Sequence, residues 1–291
     1  DTHAPTLERL LHTMVHVNVF KVDEDGYYHL TSLSKLLQTN ALRSTVLTFG
    51  QPCVWQTWGS LLYSVKTGAP SFDKLHQMSF YQYLGHDPNA NSTFYQCMTS
   101  GPRHDQVVNT YNGFAHVNSV VDVGGGHGGL LIRSLTKYKH LKGILYDLPH
   151  ATSTIDIQHI DKSIADRLTI MTGDMFSNVP ADGDMYIISH VIIDISDEKA
   201  KVLLHNCRQA MKNGKCLLII DIIKTSSTDV STNQFWKEIS DLHVLVLCGT
   251  RMRTEAEFRM LLENQKFKVN KIIPISSSLL HAGNILESIA I

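Results

Sequence analysis

"VVDVGGGHGG", residues 120–129, joins an apolar run to the start of a helical pattern. Val120, Val121 and Val123 are β-branched, and "GGLLIRSLTKY" (128–138) has helical period, so the stretch reads as strand, glycine turn, helix. Gly124, Gly126 and Gly128 let the chain turn sharply and let a ligand approach main-chain N–H groups with no Cβ between. Such a turn suits a dinucleotide as well as other adenosyl ligands. Two details separate them. A G-x-G-x-x-G register requires Gly129 in place of Gly128, and Asp122, at the strand's end, would repel a pyrophosphate.

Outward from this turn the pattern repeats. "KGILYDLP" (142–149), "RLTIMTGD" (167–174), "DMYIISHV" (184–191) and "KCLLIIDII" (215–223) are further strand runs. The clearest helix between them, "SDEKAKVLLHNCRQAMKNG" (196–214), opens at Ser196 with Glu198 nearby and stops at Gly214. Apolar strands alternating with amphipathic helices predict an α/β domain over residues 116–291, with a doubly wound, Rossmann-like parallel sheet. "FKVNKIIPI" (267–275) and "GNILESIAI" (283–291) read as a closing antiparallel pair. Asp147 ends the second strand about twenty residues past the glycines, where a ribose hydroxyl pair is held. Asp174 ends the third beside Met175, within reach of an adenine amine. Three acids around a neutral ribose and a cationic sulfonium suit S-adenosyl-L-methionine (SAM) better than a dinucleotide. The bland alternative is that they cap helices.

Residues 1–115 have a different texture. Leu7, Leu10, Leu11, Met14 and Val15 have helical period, and "FKVDEDGYYHLTSLSKLL" (20–37) reads as a hairpin turned at Asp25-Gly26, then a helix capped by Thr31 or Ser32. This is a winged-helix outline. Acids balance bases over residues 1–50, Asp1 among them, so a dimerisation or packing role is favoured over DNA binding. Residues 41–115 are aromatic-rich and helical, with breaks near Gly68-Ala69-Pro70 and "GHDPNANS" (85–92). Most of these aromatics, from Trp55 to Tyr95, read as core; Phe94 and Met98 are candidates to wall an apolar ligand pocket.

Composition bounds the rest. The 291 residues are 43% hydrophobic with net charge -1, so nothing draws the chain to nucleic acid or anionic membrane. Its apolar runs are strand-sized, well short of the ~20 residues of a membrane helix, and no signal segment opens it. Five scattered cysteines without C-x-x-C spacing indicate reduced thiols and a cytoplasmic setting, and argue against zinc or disulfides. His12 and His16 are four apart but alternate with apolar positions of a helix, so no metal is expected.

The glycine turn, "YDLP" (146–149), "GDMF" (173–176), "SDEKAKVLLHNCRQAM" (196–211) and "DLHVLVLCGTRMRTEAEFRMLL" (241–262) together resemble the small-molecule O-methyltransferases that carry an N-terminal winged-helix dimerisation domain. The resemblance covers nearly the whole chain. It implies a homodimer, a small-molecule substrate between the sheet domain and the helical middle, and SAM or S-adenosyl-L-homocysteine (SAH) on Gly124, Asp147, Asp174, Met175 and Ser189. Asp122, Gly126 and Leu148 beside them join that set. A start at Asp1 implies that the first dimerisation helices of the family are absent.

The family's His-Asp-Trp, whose histidine is the general base, reads Ile193-Asp194-Ile195 here. A supporting Glu after the fifth strand reads Asp221, and the Glu of Gly-Gly-x-Glu-Arg-Thr falls on Met252 in "GTRMRT" (249–254). Isoleucine accepts no proton. The catalytic candidates left are His243, Asp221 and Asp194, with His190 and His86 as further histidines near the expected pocket. Three readings stand: methyl transfer by proximity to an easily ionised hydroxyl, a non-methylating SAM enzyme of pericyclase or hydroxylase type, and an inactive SAM-binding scaffold.

Overall fold

The computed structural model describes residues 2–38, 42–100, 103–225, 231–275 and 283–291; Asp1 lies outside them. The N-terminal region is a helix, Ala4–His16, then β1 (Phe20–Val22) and β2 (Tyr28–Leu30) paired antiparallel, then a helix, Ser32–Gln38. Gly26 at φ 85° makes the expected turn, and the Thr31 hydroxyl accepts the Ser34 N–H at 3.3 Å, capping the helix. The first helix buries none of its residues, and Leu7 and Leu10 of its apolar stripe are exposed. A stripe of that period is made for packing, and none of it is buried among the described residues.

Short helices from Arg43 to Thr110 form a layer whose core brings together Cys53, Val54, Phe72, Phe80 and Leu84. Phe72 meets Phe80 and Tyr83 edge-on, and Phe94 meets Phe80 and Tyr81. Trp55 departs from the expected core and is 73% exposed. The break at "GHDPNANS" is a single residue: the helix Phe80–His86 ends, the Asp87 carboxylate accepts the Asn89 and Ala90 N–H groups, and the helix Pro88–Thr99 starts at once. Val246 and Leu247, from the helix Thr232–Cys248, belong to this helical core although they follow the sheet in sequence.

The larger sheet comprises β3 (Ser119–Val123), β4 (Lys142–Asp147), β5 (Leu168–Thr172), β6 (Met185–Ser189) and β7 (Cys216–Asp221), with β8 (Ile223–Lys224) and β9 (Arg253–Thr254) paired separately, and β10 (Phe267–Pro274) and β11 (Asn284–Ala290) closing it. Its order is β10-β11-β7-β6-β3-β4-β5. β3 to β7 are parallel, and the last pair is antiparallel, as the sequence predicts. Chain direction along the sheet reverses between β3 and β6, where a doubly wound sheet opens its ligand crevice. Val121, Val123, Ile188, Leu203 and Leu286 pack in one of the two sheet cores, and Val120, Leu131, Leu145 and Leu218 in the other.

One helix is shorter than its sequence suggests. Asp197–Ala210, capped by Ser196 on the Lys199 N–H, ends four residues before Gly214. Met211 turns extended to bury its side chain, and the Gly214 N–H donates to the Ala290 carbonyl instead. Among the described residues no helix is long and apolar enough to cross a membrane.

Candidate active site

The carboxyl ends of β3 to β6 and the inner face of the helical layer enclose a cavity of about 300 Å³. One wall is the glycine turn. Gly124 has φ 70°, and a Cβ there would stand 2.8 Å from Val191 Cγ2; at Gly126, φ 57°, it would stand 3.0 Å from the Tyr95 ring. Both positions therefore demand glycine on conformation and on space. The Gly126 N–H donates to Asp147 Oδ2 and the Leu148 N–H to Oδ1, each at 2.7 Å, which fixes the carboxylate against the turn and leaves further lone pairs for a hydroxyl pair.

Asp122 lies at the floor, 1% exposed, and its Oδ1 is buried without a hydrogen-bond partner. Burial, then the charge of Asp147, pushes its carboxyl up to about 7. Two further buried polar atoms on residues lining the same cavity lack partners, His104 Nδ1 and Arg103 Nε. The Arg103 guanidinium donates to the Met98 carbonyl and pairs with no carboxylate among the described residues. An acid and a cation both waiting for partners fit an ammonium, a sulfonium and a carboxylate, the charges SAM carries. Asp174, Met175, Leu148 and Ser189 line the cavity as well, so all eight residues assigned to the cofactor come together. Asp174 holds the Phe176 N–H at 2.8 Å, and the Ser189 hydroxyl meets His190 Nδ1 at 3.2 Å.

The other wall comes from the helices and includes Phe80, Tyr81, Phe94, Met98, Leu247 and Cys248. Phe94 and Met98 stand where the sequence places them. Tyr95, stacked on His127 at 5.0 Å between ring centres, backs the glycine turn.

The catalytic candidates separate. Ile193 is 7% exposed and packs with Ile222, Val244 and Met252 in a cluster of its own, away from the cavity lining. The two positions that the sequence reading sets against the family's histidine and glutamate, Ile193 and Met252, thus fill one apolar plug. Asp221 is buried beneath it, accepting the N–H groups of Ile193 at 3.0 Å and Ile222 at 2.8 Å; burial pushes its carboxyl up to about 7. It holds the backbone and does not line the cavity.

His243 does not line it either. Its Nδ1 accepts the Trp58 indole N–H at 3.1 Å, and its ring packs against Phe49 and Trp58. His86 ends its helix with Nδ1 on the Gln82 carbonyl at 2.8 Å. His190 lines the cavity with a left-handed backbone, φ 55°, a strained conformation typical of functional turns. Asp194 alone of the three primary candidates reaches the cavity, and the Tyr81 hydroxyl donates to its Oδ2 at 2.6 Å. Tyr81, Arg103 and His104 lie in no quoted motif; each lines the cavity only through contacts distant in sequence.

With this geometry, residues 58–268 match the O-methyltransferase domain family. The chain belongs to that family. A phenazine O-methyltransferase of Lysobacter antibioticus is 32% identical over 281 residues, covering 95% of this chain and 81% of the relative. The structure of the mitomycin 7-O-methyltransferase MmcR matches with a TM-score of 0.90 at 31% identity, over 100% of this chain and 85% of that one. An O-methyltransferase from neocarzinostatin biosynthesis, solved with SAM and 2-hydroxy-5-methyl naphthoic acid, matches with a TM-score of 0.83 at 28% identity, covering 100% and 86%. This O-methyltransferase is therefore SAM-dependent and acts on a small molecule.

Proposed function

We propose that the enzyme methylates a hydroxyl on a flat, apolar aromatic or enolic molecule without a proton acceptor at position 193. The observation that carries this is the apolar plug of Ile193 and Met252 beside an intact cofactor wall. SAM supplies the methyl group and, on losing it, keeps the C–S electron pair as neutral SAH. The chain's own residues do the remainder. Asp147 takes the ribose hydroxyls, Asp174 and Met175 the adenine side, Asp122 a cationic centre and Arg103 the carboxylate. Phe80, Phe94 and Met98 hold the acceptor ring and exclude water. Orientation of this kind substitutes for much of what a base contributes, because positioning alone is worth about 7–11 kcal/mol in favourable cases.

The non-methylating and scaffold readings are less well supported, since the relatives above are named methyltransferases. Incubation with SAM and a panel of hydroxynaphthoic acids and hydroxyphenazines tests the choice. Equal amounts of SAH and methylated product are expected; product with SAM intact contradicts it. Residues 1–115 serve as a winged-helix and helical unit and 116–291 as the SAM-binding unit, with a homodimer formed through exposed Leu7, Leu10, Leu33, Val46 and Leu47. Light scattering on the protein checks this, a monomer contradicting it. The unpaired cysteines suit a cytoplasmic setting.

A further inference from the structure

Asp194 has no assigned role, and its surroundings are built. It ends the short 3-10 turn Ile192–Asp194, one residue past the position of the missing base. That turn is gripped on both sides. The Arg253 guanidinium, 3% exposed, donates to the carbonyls of Ile192 and Ile195 and, at 2.8 Å, to the Asp197 carboxylate. Asp221 takes the Ile193 N–H, and the Thr250 hydroxyl donates to the Ile193 carbonyl at 2.7 Å. The turn so held sends Ile193 into the plug and Asp194 to the cavity. Asp194 Oδ2 is committed to Tyr81, whereas Oδ1 has no partner among the described residues.

We propose that Asp194 accepts the proton of the acceptor hydroxyl and that Tyr81 is the positioning residue that orients its carboxylate. The inference rests on the methyl-transfer reading above. The hydroxyl proton passes to Asp194 Oδ1 while the oxygen's electron pair forms the bond to the methyl carbon. The C–S pair stays on sulfur, and the resulting carboxylic acid returns its proton to water when product leaves. Geometry and surroundings agree. No cation pairs with Asp194 among the described residues, so its basicity is not suppressed. Burial pushes its carboxyl up to about 6, and the Tyr81 hydrogen bond opposes that rise. The titratable groups that interact with it are Tyr81 on the helix Phe80–His86, Cys248 on Thr232–Cys248 and Asp221 on β7, and Lys199, Asp73 and His190 line the same cavity. The Tyr81 hydroxyl is held neutral, by burial first and then by the Asp194 charge, so it donates and does not compete as a base.

The test uses the SAH complex, with 2-naphthol and its methyl ether as probes, in the wild type, Asp194→Asn, Asp194→Glu and Tyr81→Phe. By calorimetry the wild type should prefer the naphthol at least about tenfold, and Asp194→Asn should lose that preference while binding SAM within about threefold of the wild type. With SAM, SAH release on the same naphthol should fall about 10²–10⁴-fold in Asp194→Asn and recover partly in Asp194→Glu. The acid limb of the wild-type pH–rate profile should lie near 6 and move to higher pH in Tyr81→Phe, because the Tyr81 hydrogen bond lowers the Asp194 pKa and its loss raises it. A merely structural tie would leave that limb in place. A wild type indifferent to the hydroxyl, an Asp194→Asn rate equal to the wild type, or a collapse of SAM affinity in that variant overturns the proposal. If Asp194→Asn does not fold, the limb in Tyr81→Phe decides. SAM binding with no SAH released by the wild type overturns the methyl-transfer reading itself, which separates the two failures.

Discussion

The ends of β3, β4, β5 and β6 meet the same cavity, whereas β7 ends outside its lining. Around the first three strands the glycine turn, Asp122, Asp147 and Asp174 all line the cavity. Around the last two, Ile193 and Asp221 lie outside the lining, and so does Met252. On the reading proposed above, binding the methyl donor and removing a proton are separable tasks on this scaffold. Ile193 and Met252 share one buried apolar cluster with Ile222 and Val244. A lone histidine or glutamate in that plug would be a buried polar group facing isoleucine, valine and methionine, at a cost of about 1–3 kcal/mol or more.

Four substitutions or conditions sharpen this comparison. Gly124→Val should be the most severe on the cofactor side, since it adds a β-branched side chain at φ 70° and against Val191. SAM affinity measured by calorimetry should drop more than about 100-fold, with naphthol probes still bound. Asp147→Ala should weaken SAM by about 1–3 kcal/mol, or roughly 5–150-fold, through lost charge-assisted hydrogen bonds; unchanged affinity would remove it from the site.

The third is pH. Unliganded Asp122 holds its proton up to about 7, while the bound cation favours the ionised form. SAM binding should thus release a proton below pH 7, its affinity falling toward about tenfold per unit as pH drops, and SAH should show a shallower dependence for want of the sulfonium charge. Calorimetry in two buffers of different ionisation enthalpy reads that proton. The same shift, up from 3.8, makes the folded apo form hold a proton that the unfolded chain loses, so its Tm should fall as pH rises from about 4 to about 7. The smallest effect expected is that of His243→Ala, about 1–2 kcal/mol of stability through the lost Trp58 bond and ring packing, with SAM affinity and the pH–rate profile unmoved. Loss of turnover in that variant would reinstate a relocated histidine base.

What was legible in the sequence follows the same division. The glycine turn, the acids at strand ends and the closing antiparallel pair are local patterns, and local patterns fix which strand end a side chain reaches. The cavity's far wall is not local. Tyr81 meets Asp194 across 113 positions and Arg103 reaches the cavity from a helix well before the glycine turn, so neither announces itself by spacing. His243 shows the converse failure: among the described residues its helix touches the cavity at Leu247 and Cys248, one turn on, while His243 faces Phe49 and Trp58. Gly214 misled as a helix stop because burial of Met211 ended the helix first. The uncovered stripe on Ala4–His16 was periodic enough to predict a helix but said nothing of what covers it.

The central claim, that this enzyme transfers methyl groups without a base at position 193, is tested most directly by restoring the lost pair. In Ile193→His/Met252→Glu, the initial rate of SAH release on 2-naphthol should stay within about tenfold of the wild type or fall, because both side chains point into the plug and proton acceptance lies with Asp194. A rise of about 10²–10⁴-fold, the usual worth of a general base, would contradict the account and show that the wild type lacks the step its family depends on.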